Sequence, residues 1–326
     1  MNILITGSSG HLGEALMRTL SELEYQTLGI DIEPSEFTDR IGSIANRSFV
    51  KSCMQEVDYV IHTATLHKPH VVTHSKQEFI DTNITGTLNL LEEAVAQGVK
   101  SFVFTSTTST FGDALRPSDT SPAVWVDESL PPLAKNIYGA TKTTAEDLCR
   151  LFYRNHGLPT IVLKTSRFFP EEDDDRNMRD LYSDTNLKVN EFLFRRVDIA
   201  DIVDAHILAL EKAKTIGFDK YIISATSPFM PTDIDDLKSN APKVLQKYFP
   251  DYKKSYGKKG WKIFPSIGRV YVNEKARKEL GWQPKYDFQH ILNCINQSKD
   301  YRNPLTLKIK PKGYHDVEFE DGPFPV

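Results

Sequence analysis

The first thirteen residues constrain the fold of this chain more than any other stretch. Residues 3–5 form an apolar run, Ile-Leu-Ile, which is typical of a buried parallel strand. A turn with glycine at positions 7, 10 and 13 follows at once, and regularly spaced leucines after it indicate a helix. Glycine permits a tight turn and a close backbone approach, and the start of a helix offers free N–H groups to an anion. The stretch therefore predicts a cradle for a pyrophosphate group.

A carboxylate stands where a dinucleotide-binding cradle needs one. Residues 26–30 predict a second strand that ends in Asp31, at about the 20-residue spacing that such folds use. An acidic side chain here binds the ribose hydroxyls of NAD and repels the 2′-phosphate of NADP. No arginine follows Asp31 to neutralise that phosphate, because Ile32, Glu33 and Pro34 come next. The sequence therefore predicts NAD as the cofactor.

Length and composition indicate an ordinary globular chain of roughly two domains. It has 326 residues, a formal net charge of −4 and 40% hydrophobic residues. The mild acidity gives no reason to expect a nucleic-acid partner, and no apolar run approaches the ~20 residues of a membrane span. Cys53, Cys149 and Cys294 lack metal-ligand or redox spacing, which favours buried thiols in a reducing compartment. We expect a cytoplasmic protein with no metal site.

Apolar strands alternate with amphipathic helices through about residue 170. Helices are predicted at 75–97 and 136–156, and further strands at 57–62, 100–105 and 160–165. This alternation implies an α/β chain with a Rossmann-type, doubly wound parallel sheet. Crossovers in such a sheet are right-handed, so the carboxyl ends of the strands share one edge and the polar residues there converge.

The alternation weakens beyond the last of these strands. We expect residues 1–170 to form an NAD-binding domain, with contributions from about 197–224. Residues 171–326 are expected to be mainly a smaller substrate-binding region and a C-terminal tail, which looks irregular from 308 to 326. Carboxylates fill positions 171–175, and a solvated loop that points outward is the favoured interpretation of that run.

The sharpest chemical pattern is Tyr138-Gly-Ala-Thr-Lys142. Residues four apart share a helix face, so the phenol and the ammonium can lie one turn apart. A free tyrosine titrates near ~10, and a lysine cation together with an oxidised nicotinamide would lower that pKa. A hydroxyl from the preceding strand end could then hold a substrate oxygen while Tyr138 removes its proton and hydride leaves for the cofactor. Combined with the glycine turn and Asp31, the pattern indicates an active site.

With these residues in hand, the chain resembles the extended short-chain dehydrogenase/reductase family, especially its NAD-dependent sugar epimerase/dehydratase branch. The resemblance implies a Ser/Thr–Tyr–Lys triad formed by Thr107, Tyr138 and Lys142, with Asn83 as a supporting asparagine. It also implies a homodimer that pairs the two long helices. The matching motifs span residues 1 to about 285: Thr6-Gly-x-x-Gly-x-x-Gly13, Asp31, Gly42-Ser-Ile44, His62-Thr-Ala64, Asn83-Ile-Thr-Gly-Thr87, Phe104 to Gly112, Tyr138-x-x-x-Lys142 and Lys278-Glu-Leu-Gly-Trp-Gln-Pro284.

The same resemblance implies which residues hold NAD. The glycine turn binds the pyrophosphate, the acidic residue binds the adenosine ribose, and residues at the strand ends complete the set. The cofactor-binding residues predicted in this way are Gly7, Ser9, Gly10, His11, Leu12, Gly13, Asp31, Ile32, Ser43, Ile44, Thr63, Ala64, Thr65, Asn83, Thr105, Ser106, Tyr138, Lys142, Phe168 and Phe169.

Departures from the family pattern bear on the substrate, which we expect to be a sugar or nucleotide-sugar. Dehydratases of this branch usually carry Asp-Glu directly after the triad threonine, whereas Thr108-Ser109 follow here, which disfavours a 4,6-dehydratase. The segment 169–201 is shorter than the family's nucleotide-sugar clamp, and its carboxylates would repel a diphosphate if they faced it. Histidines crowd the loop 62–74, near the expected substrate position. The substrate contacts predicted are His67, His70, Thr108, Arg195, Arg196 and Arg269.

Two classes of function fit these residues. In the first, the chain is an enzyme that oxidises a sugar hydroxyl with tightly held NAD, most like a UDP-sugar 4-epimerase. An NAD-dependent dehydrogenase or reductase of a sugar or another small hydroxy or carbonyl compound is the alternative within this class. In the second class, the chain is a non-catalytic Rossmann protein that senses NAD or acts as a scaffold. Such proteins often lose the tyrosine or the lysine, and this chain keeps both, so the sequence favours the enzyme.

Overall fold

A computed structural model describes residues 1–116, 118, 121–313 and 319 of the chain. Most of the tail that was predicted to be irregular, at 314–318 and 320–326, lies outside the described residues. Within the described part of the chain, no helix is both long enough and apolar enough to cross a membrane.

Parallel strands form the centre of the fold. In the described residues the strands are β1 (Asn2–Thr6), β2 (Gln26–Asp31), β3 (Arg40–Ile41), β4 (Tyr59–His62), β5 (Ser101–Thr107), β6 (Val124–Val126), β7 (Thr160–Thr165), β8 (Phe218–Ile223) and β9 (Arg269–Tyr271). Seven of them make one parallel sheet in the order β3-β2-β1-β4-β5-β7-β8, and β6 pairs separately with β9. The chain runs outward from β1 to β3 and then crosses to β4, which opens a crevice at the carboxyl ends of β1 and β4. The predicted Rossmann-type, doubly wound sheet is confirmed.

Helices cover both faces of the sheet and build the C-terminal part of the molecule. Among the described residues they are α1 (His11–Glu22), α2 (Arg47–Cys53), α3 (Lys76–Ile80), α4 (Gly86–Gln97), α5 (Ile137–His156), α6 (Arg176–Leu181), α7 (Asp184–Glu191), α8 (Ile199–Ile216), α9 (Ile234–Tyr248), α10 (Tyr252–Gly257), α11 (Phe288–Asn296) and α12 (Pro304–Lys308). Short 3₁₀ segments lie at Lys68–Val72, Thr108–Leu115 and Pro231–Asp233, and π turns at Asp81–Thr85 and Ala276–Leu280.

The sheet is apolar on both faces because neighbouring residues of a strand point to opposite sides. In β1, Ile3 and Ile5 pack with α1 and α8, whereas Leu4 between them packs with α2, α4 and α5. The same alternation holds in β5, where Val103 faces one layer and Phe102 faces the other. Burial on both sides fixes the carboxyl ends of the strands, and the site is built on those ends.

A separate hydrophobic cluster joins α7, α9, α10 and α11 outside the sheet. The Tyr256 hydroxyl of α10 donates to the Asn190 side chain of α7 at 2.8 Å, which ties the two helices together. The sequence predicted no element between residue 169 and α8, where the structure has α6 and α7. These helices have 6 and 8 residues, too few for a periodic apolar pattern to stand out.

The helix predicted at 75–97 is one continuous helical stretch with a change of pitch inside it. Ser75 and Glu78 form a capping box at its start, and Gly98, at φ +69°, ends it. Between α3 and α4 the chain makes the π turn Asp81–Thr85. The turn matters because it carries Asn83, and π turns inside helices frequently mark functional sites.

Candidate active site

Thr107, at the carboxyl end of β5, lies close enough to Tyr138 of α5 for its hydroxyl to lower the pKa of the phenol. Tyr138 lies in the first turn of α5, which begins there because the Asn136 side chain accepts from the N–H of Gly139 at 3.0 Å. The N–H of Ser109 donates to the Thr107 hydroxyl at 3.1 Å and so fixes its direction. Thr107 is 9% exposed and Tyr138 is 8% exposed, so both residues are largely shielded from solvent at this edge of the sheet.

Lys142 lies one turn farther along α5 and points to the same strand. Its ammonium donates to the carbonyl of Thr105 at 2.8 Å and lies 3.9 Å from the centroid of the Phe104 ring. Burial lowers the pKa of Lys142 to about 7, against the opposing effect of Glu146. The fold thus gathers the three residues of the predicted triad around the end of β5.

The pKa of Tyr138 differs from the sequence expectation. Burial raises it to about 12, and the hydrogen bond with Thr107 opposes the rise only in part. The expectation was a pKa lowered by lysine and nicotinamide together. The protein groups alone keep Tyr138 a neutral phenol at neutral pH, ready to donate its proton to an alkoxide. Removal of a substrate proton needs a further positive charge close to the ring.

A buried charge network underlies Lys142, and the sequence analysis missed it. Glu146, which is fully buried, accepts from the ammonium groups of Lys164 at 2.7 Å and Lys220 at 2.8 Å. It also accepts from the hydroxyl of Ser106, a predicted cofactor residue, at 2.5 Å. The network joins α5 to β5, β7 and β8 and holds the triad helix against the sheet. The sequence did contain one indication of this network, because Glu146 is an acidic residue four positions after Lys142 and therefore lies on the same face of the helix.

Asn83 links three elements beside the triad. Its amide oxygen accepts from the hydroxyl of Thr65 and the N–H of Leu66, both at 2.9 Å. Its amide nitrogen donates to the hydroxyl of Thr141, in the α5 turn that contains Tyr138, at 3.0 Å. With 2% of its surface exposed, Asn83 fixes the position of α5 relative to the loop after β4.

The turn between β1 and α1 is shaped for a bulky anion. Gly7 has φ +73°, and a Cβ on Gly13 would lie 1.9 Å from the Gly7 carbonyl, so the turn closes only around glycine. Within the described residues no side chain caps α1, which leaves the positive end of its dipole open. Asp31, at the end of β2, accepts from the N–H of Ser9 at 2.9 Å. These groups fit the pyrophosphate and the adenosine ribose of NAD.

The remaining predicted site residues follow neighbouring strands of the sheet. The Thr63 hydroxyl donates to the Thr6 carbonyl at 2.7 Å, and the N–H of Ala64 donates to the Thr6 hydroxyl at 3.1 Å. Ile44 is 5% exposed, whereas Ile32, next to Asp31, is 60% exposed. Others on this edge are Ser43 after β3, Thr65 after β4, and Thr105 and Thr108 at the end of β5.

Aromatic rings pack against the first residue of α1. Phe169 lies edge-on to His11 and stacks on His67, in each case with 5.4 Å between ring centroids, and Phe168 lies 4.2 Å from Phe169. The N–H of His67 donates to Nδ1 of His70 at 3.0 Å. Three predicted cofactor residues, His11, Phe168 and Phe169, and two predicted substrate residues, His67 and His70, thus lie together at the glycine turn.

The acidic run at 171–175 points outward only in part: Glu172 and Asp175 are exposed, but the interpretation was wrong for Asp173 and Asp174. Asp173 and Asp174 are 5% and 8% exposed, and both bind the guanidinium of Arg167, Asp174 at 2.9 Å. Burial raises the pKa of Asp174, but Arg167 and Lys68 outweigh that effect and lower it. These two carboxylates turn inward because the arginine after β7 provides the counter-charge, which a count of acidic residues does not reveal.

Three arginines surround one carboxylate in the same region. Glu191 is fully buried and accepts from Arg167 at 2.9 Å, Arg195 at 2.7 Å and Arg196 at 2.8 Å. Burial raises the pKa of Glu191, but the arginines outweigh it and hold the pKa at about 2. Among the described residues, the buried Nε atoms of Arg195 and Arg269 lack a hydrogen-bond acceptor.

The sequence matches the NAD dependent epimerase/dehydratase family over residues 3–223. It is 29% identical to a dTDP-glucose 4,6-dehydratase of Streptomyces antibioticus, with 96% of this chain and 97% of that protein covered. It is 25% identical to a UDP-glucose 4-epimerase of Rhizobium meliloti (strain 1021), with 89% and 94% covered. The fold is similar to that of a short-chain dehydrogenase/reductase superfamily protein from Agrobacterium tumefaciens solved with bound NAD. That comparison has a TM-score of 0.65 and 19% identity, and it covers 91% of this chain and 97% of the other.

The family match covers more than half of the chain. It includes the glycine turn, Asp31 and the cluster of Thr107, Tyr138 and Lys142. The expected cofactor and the enzyme interpretation are thereby confirmed. The chain belongs to the NAD dependent epimerase/dehydratase family and is an NAD-dependent enzyme.

Proposed function

We propose that this enzyme is a nucleotide-sugar epimerase that inverts C4 of a UDP-sugar. The proposal rests on the placement of Thr107, Tyr138 and Lys142 around the end of β5, on the sheet edge that also bears the glycine turn. The similarity to a UDP-glucose 4-epimerase, which extends over most of both chains, supports this choice of substrate class.

The residues at this edge are suited to moving the proton of a sugar hydroxyl. Thr107 holds the sugar oxygen, while Tyr138 takes the proton from it and later returns it. The positive charge of Lys142, added to that of a bound oxidised nicotinamide, would favour the phenolate form of Tyr138. Because the pKa of Lys142 is about 7, its charge changes within the neutral range of pH. When bound, NAD supplies reversible acceptance of hydride from the sugar carbon.

Arg195 and Arg269 are the residues that we propose for binding the diphosphate. Both have a buried Nε that lacks an acceptor among the described residues. Burial lowers the pKa of Arg195, and the positive charges of Arg167 and Arg269 lower it further. A bound anion would relieve this repulsion between like charges, which supports a nucleotide-linked sugar over a free one.

The test is to purify the protein without added cofactor and to assay it with UDP-glucose and UDP-galactose. We expect bound NAD, released on denaturation, and interconversion of the two sugars with no net NADH. Cofactor-free protein that reduces external NAD stoichiometrically with a sugar would instead identify a dehydrogenase. A product that has lost water would identify a dehydratase, which Thr108-Ser109 after the triad threonine disfavours.

We also propose a homodimer that pairs α4 and α5 with their copies across a two-fold axis. Ile80, just before the π turn, is 36% exposed, and Leu151 of α5 is 38% exposed. Ile84 and Leu88 are half-buried and extend the strip from Ile80 at helical spacing. Light scattering should report a dimer, and Leu151→Glu should dissociate it; a monomeric native protein would contradict the proposal.

A cytoplasmic location is the last part of the proposal. Cys53, Cys149 and Cys294 are buried free thiols, as suits a reducing compartment. Fractionation of cells that express the native protein should recover it with cytoplasmic markers.

A further inference from the structure

The C-terminal segment runs along α1 toward the glycine turn. Pro304, at the start of α12, lines one surface depression together with Thr19 and Glu22 near the end of α1. Ile309, 2% exposed, packs into the hydrophobic layer that contains α1. Lys312 lies at the opposite end of the helix, beside the turn. The segment therefore crosses α1 over its whole length, and Ile309 anchors it.

Lys312 joins three parts of the molecule at the glycine turn. Its ammonium donates to the carbonyl of Ser9 and pairs with the carboxylate of Glu14, both at 2.5 Å. Its backbone N–H donates to Oε1 of Glu171 at 3.0 Å. The same oxygen accepts from Nε2 of His11 at 2.7 Å. One residue thus connects the turn, the first turn of α1 and the loop after β7.

These contacts surround the anion-binding end of α1. Burial raises the pKa of Glu171, but the hydrogen bond and charge of His11 and the N–H of Lys312 together outweigh it, so the pKa is lowered and the carboxylate is charged. A charged carboxylate beside the pyrophosphate position repels the cofactor, and the ammonium of Lys312 offsets that repulsion. The segment can lie against the pyrophosphate position only with Lys312 present, because the negative charge of Glu171 alone would repel the pyrophosphate.

We propose that Lys312 is the closing contact of a C-terminal strap over the NAD site, so that the cofactor exchanges only after the ammonium leaves Ser9 and Glu14. A strap slows association and dissociation of the cofactor alike, since both use the same path. A lysine that only attracted the pyrophosphate would speed association and slow dissociation. The two rates therefore distinguish a strap from simple attraction.

The experiment uses Lys312→Ala and, as a matched control, Lys310→Ala, an exposed lysine with no hydrogen bond or ion pair within the described residues. Full-length protein loaded with NADH is mixed with excess NAD in a stopped-flow instrument, and loss of NADH fluorescence gives the dissociation rate. Binding of NADH to protein stripped of cofactor gives the association rate. We expect Lys312→Ala to raise both rates about fivefold or more, because a hydrogen bond from a charged group is lost, and Lys310→Ala to change neither.

Unchanged rates in Lys312→Ala would overturn the proposal. Faster dissociation with slower association would also overturn it, because that result identifies attraction rather than closure. Thermal unfolding should show both variants folded at the assay temperature, with Lys312→Ala slightly less stable because it loses the bonds to Ser9 and Glu14, while Ile309 still anchors the segment. The readout needs no sugar substrate, so its failure leaves the proposed epimerase activity standing.

Discussion

Replacing Tyr138 by phenylalanine is the most direct test of the active site. The change removes one oxygen and keeps the ring, so the packing of a side chain that is 8% exposed is retained. Thr107 keeps its bond from the N–H of Ser109, so the folding free energy should change by about 1 kcal/mol or less. Loss of a general acid–base lowers turnover by about 10²–10⁴. We therefore expect kcat to fall at least a hundredfold while the protein stays folded.

The assay for Tyr138→Phe is interconversion of UDP-glucose and UDP-galactose at saturating substrate, with NAD affinity measured separately. Tyr153→Phe is the matched control, because Tyr153 lies on the same helix, is 37% exposed and stacks on Phe218. The control should retain native turnover, and both variants should bind NAD normally. Near-normal turnover in Tyr138→Phe would refute the role of Tyr138. An equal loss in the control would assign the effect to the helix instead.

Three further outcomes are expected. Titration should show tighter binding of NAD than of NADP, and the reverse order would contradict the role of Asp31. Gly13→Ala should lose NAD affinity, because its Cβ would lie 1.9 Å from the Gly7 carbonyl, whereas Gly257→Ala, with open space around its Cβ, should bind NAD normally. Glu191 has a pKa of about 2 against the usual 4.5, so its contribution to stability is complete above pH 4.5 and is lost as the pH falls through 2. Denaturant unfolding should therefore show weaker acid dependence in Glu191→Gln than in the native protein.

Local sequence patterns predicted the parts of the fold that local physics determines. The strand before Gly7 and the leucine-spaced helix after it are short-range patterns, and the structure reproduces both as β1 and α1. Tyr138 and Lys142 fall on one helix face because their spacing is four residues, and no long-range contact is needed to know this. Thr107 was found only through the family resemblance, since a run of hydroxyl residues does not itself show which one turns toward α5.

Pairs that are distant in sequence were not predictable in this way. The contact of His11 with Glu171 spans 160 positions, and that of Lys312 with Glu14 spans 298. Nothing in the neighbourhood of Glu171 marks it as the partner of a histidine in the first turn of α1. The same reasoning explains Glu146, whose partners Lys164 and Lys220 come from two later strands. Such contacts depend on the completed sheet order, which brings the strand ends together.

The electrostatics of the substrate side depend on these distant pairs and not on the local charge count. Counted along the chain, the run 171–175 makes the region acidic and argues against a diphosphate. In the fold, Arg167 neutralises Asp173 and Asp174, and Glu191 is shared among three guanidinium groups. Asp173, Asp174 and Glu191 are therefore held in internal ion pairs, and a buried acid that is already paired repels an incoming anion much less than a free one. Among the described residues of this region, the buried Nε groups of Arg195 and Arg269 lack an acceptor, which is why these two are the residues that we propose for binding the diphosphate.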